Sequence, residues 1–126
     1  MNHLTPTYSV QVDCDRHELH FVTSGLFDAA KMEECVQEIG RQVAPLLSKG
    51  QKIRALGDLS EFVTQTRDVA EKMQKTLVDA QKFGVERTAI FITSSLVALQ
   101  YKRLSTGLPI KIFDNRSEAL LWLRAD

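Results

Sequence analysis

The chain has 126 residues, of which 44% are apolar and 25% charged, and its 16 basic residues balance its 16 acidic ones. That length is one domain, able to bury about two thirds of its unfolded surface without disulfides or metals. The neutral balance gives no footprint for nucleic acid, no stretch approaches the ~18 apolar residues needed to cross a bilayer, and Met1 to Thr7 lack the pattern of a signal peptide, so the expected address is cytoplasmic. Charge is unevenly spread, with 7 acids and 2 bases in residues 1–40. Because the later bases alternate with acids along helices, they read as solvated faces.

Residues 1–7 read as a flexible tail, and residues 8–126 as one domain. Tyr8 to Asp13 alternate with Tyr8, Val10 and Val12 on one face, and Glu18 to Thr23 alternate with Leu19, Phe21 and Thr23 together. Period two predicts strands, and the short link Cys14-Asp15-Arg16-His17 predicts an antiparallel hairpin. Behind Asp28, an N-cap residue, Ala29, Met32, Val36, Ile39 and Val43 recur at helical spacing. Pro45 lacks an N–H and disfavours a helical residue before it, which predicts an end near Val43. Ile53 to Leu56 predict a short strand, with Gly57 to Ser60 leaving it as a loop.

Val69, Met73, Leu77 and Ala80 form the inner face of a second helix, with Thr64 or Thr66 as its cap and Gly84 as its stop. Ala89 to Ile92 are apolar on both sides, as a central parallel strand requires. A third helix opens at Ser94 or Ser95 and ends near Thr106. Ile110 to Phe113 alternate as a last strand, and Ser117 to Leu123 predict a closing helix capped by Asn115, with Glu118 three positions on. Its stripe of Ala119, Trp122 and Leu123 predicts that the only tryptophan packs against the sheet. The order β-β-α-β-α-β-α-β-α implies an α/β fold with a largely parallel sheet and helices on its faces.

Chemistry-bearing residues are sparse. The glycines form neither GxGxxG nor a P-loop, and no serine lies in GxSxG, so no catalytic residue is assigned and the expectation is a non-enzyme without cofactor. His17 and His20, three apart on a strand, point to opposite faces, and with His3 in the tail no metal site is expected. Cys35 reads as a small core residue. Cys14 is flanked by Asp13 and Asp15, which disfavour its thiolate. Asp58, with Ser60 and Glu61, stands at the end of a central strand, where open α/β sheets place functional groups; alternatively it closes a turn on backbone N–H groups.

Two stretches, ALGDLSEF (55–62) and IFDNRSEALLWL (112–123), resemble the SpoIIAA-like family, relatives of the STAS domains of sulfate transporters and anti-sigma-factor antagonists. The resemblance covers roughly Tyr8 to Leu123 and implies a single-domain STAS/SpoIIAA-like sandwich with an N-terminal antiparallel hairpin. It also implies a regulatory role through a protein partner, a regulator or kinase-like protein, at the loop over residues 57–67 and the start of the second helix. In anti-sigma-factor antagonists an Asp-Ser-Ser-Gly type motif puts a phosphorylatable hydroxyl at that helix start, which suits a phosphate. The matching stretch here is Thr64-Gln65-Thr66-Arg67-Asp68, without Ser-Ser-Gly. Asp58, Ser60, Phe62, Thr64, Thr66 and Arg67 are the candidate interaction residues, with Thr64 and Thr66 as candidate phosphoacceptors or plain caps. Phe62, a large apolar residue in a polar stretch, has either a pocket of its own or a partner to meet. A homodimer is left open, and similarity of the fold to the Sec14 lipid-transfer domain implies an alternative role as carrier of a lipid or small apolar ligand.

Overall fold

A computed structural model of the chain describes residues 4–126. Its elements are β1 (Thr7–Asp13), β2 (Glu18–Ser24), α1 (Ala29–Leu47), β3 (Ile53–Asp58), α2 (Arg67–Phe83), β4 (Val85–Phe91), α3 (Ser95–Leu104), β5 (Ile110–Phe113) and α4 (Arg116–Arg124). The strands lie side by side in chain order, β1 antiparallel to β2 and every later neighbour parallel. Each crossover adds a strand in the same direction, so right-handed connections leave α1, α2 and α3 on one face. Among the helices of the described residues, only α4, which follows the last strand, reaches the other.

The apolar residues that marked the helices meet in that first layer: Met32 and Cys35 of α1, Val69 and Met73 of α2, and Val97 and Tyr101 of α3 close over Ile90 of β4. Three of the expected caps form, with Asp28 accepting from the N–H of Lys31 at 2.7 Å, Ser94 from that of Val97 at 3.3 Å and Asn115 from that of Glu118 at 3.0 Å. Gly84 ends α2 at a φ of 123°.

Four boundaries differ from expectation, one of them that of β4, which begins at Val85, four residues before Ala89. α1 continues through Pro45 to Leu47, because Leu46 and Val43 are buried against Leu19, Ile53 and Ala55; that contact offsets the one hydrogen bond a proline so near a helix end forfeits. β3 runs on through Gly57 and Asp58 instead of leaving as a loop after Leu56. A Cβ at Gly57 would collide with the ring of Phe21 and come 2.8 Å from Cδ1 of Ile90, so glycine is what lets two large core residues meet across the strand. Of the expected tail, residues 1–3, His3 among them, lie outside the described residues, whereas the carbonyl of Leu4 accepts from the N–H of Leu26 at 2.9 Å and Thr7 opens β1.

On the second face, Ala119 and Leu123 of α4 are wholly buried against Leu56 and Ala89. The ring of Trp122 packs on Phe113 of β5, with centroids 5.8 Å apart, and the Arg87 guanidinium lies over it at 5.4 Å; it remains half-buried. The last turn of α4 is bound by charge. Arg54 donates to the carbonyls of Leu123 and Ala125, at 2.8 and 3.1 Å, and Arg87 to those of Trp122 and Ala125, at 3.1 and 3.0 Å. Cations therefore satisfy the free carbonyls at the negative end of the helix. Arg124 grips Glu18 through two bonds of 2.9 and 3.0 Å, and Nε2 of His20 lies 3.0 Å from the same carboxylate. Burial pushes the Glu18 carboxyl up, but the hydrogen bonds of Arg124 and His20 outweigh it and hold it below the ordinary glutamate range.

Candidate interaction surface at the carboxyl end of the sheet

The parallel strands β3, β4 and β5 all end at one edge of the sheet, where the connection from β3 to α2 crosses. Asp58 is committed locally: its Oδ1 accepts from the N–H of Ser60 at 3.0 Å and from the Ser60 hydroxyl at 2.7 Å, and its Oδ2 lies 4.0 Å from Arg116. This is the turn-closing arrangement that a short acidic side chain makes with the backbone two residues on. The carbonyl of Ser60 is held in turn by the Thr93 hydroxyl at 3.0 Å.

Phe62 is 4% exposed. Its ring lies 5.9 Å from that of Phe27, and its backbone bridges to Gly25, whose N–H donates to the carbonyl of Glu61 at 3.1 Å. Of the two places open to it, the structure gives the pocket: Phe62 belongs to the core and offers a partner no surface in this conformation. Apolar burial removes a phenyl ring from water more effectively than a polar loop could.

Gln65, between the two candidate threonines, was not singled out by the sequence, yet it organises the segment. It is buried, its side-chain carbonyl accepts from the N–H of Phe27 at 2.8 Å, and its amide donates to the carbonyls of Gly25 and Val63. Its backbone is clasped by Gln100 of α3, which accepts from the Gln65 N–H at 2.8 Å and donates to its carbonyl at 3.0 Å. No local pattern could reveal this, because apart from Val63 its partners, in the β2–α1 link and α3, are 35 to 40 positions away. A glutamine in a polar stretch looks like any solvated residue until the fold closes around it.

The fixed segment presents Thr64, Thr66 and Arg67 to solvent. Thr66 is the N-cap residue of α2, as one of the two expected candidates, but its hydroxyl makes no capping bond; it donates instead to Oδ1 of Asp68 at 2.7 Å. That bond is the main reason the Asp68 carboxyl sits below its ordinary range. Thr64 makes no side-chain hydrogen bond with the described residues and plays no part in the cap. The start of α2 thus carries two exposed threonines, neither of which caps the helix with its hydroxyl. Beside this segment, α3 and α4 depart to opposite faces, and the ends of β4 and β5 open a groove lined by Thr93, Ser94, Lys102, Asp114 and Glu118. A divergence of this kind is where open α/β sheets form crevices.

A family model described as SpoIIAA-like matches residues 19–124 of the chain. No curated protein matches it. Among solved structures, an uncharacterised protein with a SpoIIAA-like fold from Shewanella loihica PV-4 is 22% identical, with 98% of each chain covered and a TM-score of 0.65. An anti-sigma factor antagonist from Mycobacterium paratuberculosis is 15% identical, with 94% of this chain and 96% of that one covered and a TM-score of 0.64. At those identities the likeness is one of fold.

Proposed function

The chain belongs to the SpoIIAA-like family, and on that footing we propose that it is a regulatory module that acts by binding another protein through the carboxyl end of its sheet. The observation that supports this reading is the clasp of Gln65 by Gln100 and by the β2–α1 link, which holds an exposed segment in one conformation. A preformed surface binds without first losing the freedom of a loose loop. Thr64, Thr66 and Arg67 are its exposed contacts; Asp58 and Ser60 hold the turn, and Phe62 anchors it from below. A phosphate on Thr66 would stand at the start of α2 beside both the Asp68 carboxylate and Arg67, so modification there would change the charge of the surface.

The test is binding by variants that keep the fold. A partner retained by wild type and by Lys49→Glu, at the opposite end of the molecule, should be lost by Arg67→Glu and weakened by Thr64→Asp. Equal retention by all four would remove this surface from the function. Light scattering in the same buffers reads whether the partner is a second copy of the chain. Carriage of a lipid would need a cavity of several hundred Å³; the apolar cavity beneath α1 and α2 is about 70 Å³. None of the helices among the described residues is long and apolar enough to cross a membrane.

A further inference from the structure

Under α1 and α2 the apolar layer is not fully closed. A cavity of about 70 Å³ is walled by Phe21 and Thr23 of β2, Met32 and Cys35 of α1, Met73 of α2 and Tyr101 of α3, with Phe62 at one side. Close-packed interiors seldom leave a gap of this size. Its wall is almost wholly apolar, yet three hydroxyl-bearing residues line it; the Thr76 hydroxyl donates to the carbonyl of Lys72 at 2.9 Å, which leaves Tyr101 and Thr23. Tyr101 is 4% exposed and Thr23 6% exposed, and neither side chain hydrogen-bonds to any described residue. No fully sealed side-chain polar atom among the described residues lacks a partner, so both hydroxyls meet space that a water-sized sphere can enter.

We propose that this cavity is a binding site for a small neutral molecule with an apolar body and one hydroxyl or carbonyl group, of the class of the short-chain alcohols. The size follows from the volume, which equals that of about two waters at liquid density. Neutrality follows from the wall: no charged side chain lines the cavity to offset the desolvation of an ion. The single polar group follows from Tyr101 and Thr23, whose hydroxyls each donate or accept. Met32 and Met73 supply the adaptable part of the wall, since an unbranched thioether side chain fills irregular space and yields to an occupant. This site is independent of the partner surface proposed above and stands or falls separately.

The probes are 1-propanol and xenon, the second apolar and without a hydrogen-bonding group. With the methionine methyls labelled for NMR, both should shift Met32 and Met73 saturably, and propanol should displace xenon. Removing the hydroxyls in Tyr101→Phe with Thr23→Val should weaken propanol about tenfold and leave xenon unchanged. Cys35→Leu, which fills the space, should abolish both. Shifts that grow linearly without saturation in the wild type would overturn the proposal, as would an ordered water that neither probe displaces. Should the double variant fail to fold, competition between the two probes in the wild type decides alone: xenon that resists propanol counts against the site.

Discussion

On one face of the sheet three helices share an apolar layer that reaches from Cys35 to Tyr101 and leaves a 70 Å³ gap; on the other, α4 alone rests on Leu56 and Ala89, and arginines from β3 and β4 bind its last turn. The first face has many contacts and some slack. The second has few and none, because Ala119 and Ala89 are both at 0% exposure and bring the helix close to the strands. A nine-residue helix is too short to be stable alone. Its position therefore rests on two buried side chains, on half-buried Trp122 against Phe113, and on charge at its C-terminus.

The sharpest way to break this comparison is to remove one of those two side chains. Leu123→Ala should cost about 2–5 kcal/mol in urea unfolding; a loss below about 1 kcal/mol would mean that α4 is dispensable. Adding volume should separate the faces by sign. Ala89→Val overfills the tight face and should cost about 1–3 kcal/mol, whereas Cys35→Val adds to a wall with space beside it and should stay within about 1 kcal/mol of wild type. Burial raises the Cys35 thiol to about 11, so the residue acts as a small apolar group, which the substitution preserves.

The charged grip is sharpened by pH. Because the folded Glu18 carboxyl titrates below its unfolded value of about 4.3, its contribution is fully present above that value and is lost as pH falls through the lowered native one. Glu18→Gln should cost about 1–2 kcal/mol at neutral pH and should flatten the acid limb of the stability curve; an unchanged acid limb would show that Glu18 is not coupled to folding. Trp122→Ala should cost about 1–2 kcal/mol, less than a fully buried tryptophan, since the ring is half-buried, in contact with Phe113 and Arg87. Smallest of all, Thr66→Ala should change stability by less than about 0.5 kcal/mol, because its hydroxyl makes no capping bond to lose.

What the sequence determined by itself is local. Period two and period three to four set the type of every element, and Asp28, Ser94 and Asn115 cap helices as their positions implied, because caps and periodicity act within four or five residues. The tertiary structure decided what depends on distant neighbours. Buried Leu46 carries α1 past Pro45, Gly57 extends β3 so that Phe21 and Ile90 can pass, and Phe27 takes Phe62 out of the candidate surface. Gln65 became the organiser of that surface only when the β2–α1 link and α3 brought their polar groups to it. Desolvation makes such long-range pairings obligatory once the chain is compact, and an extended chain contains no trace of them.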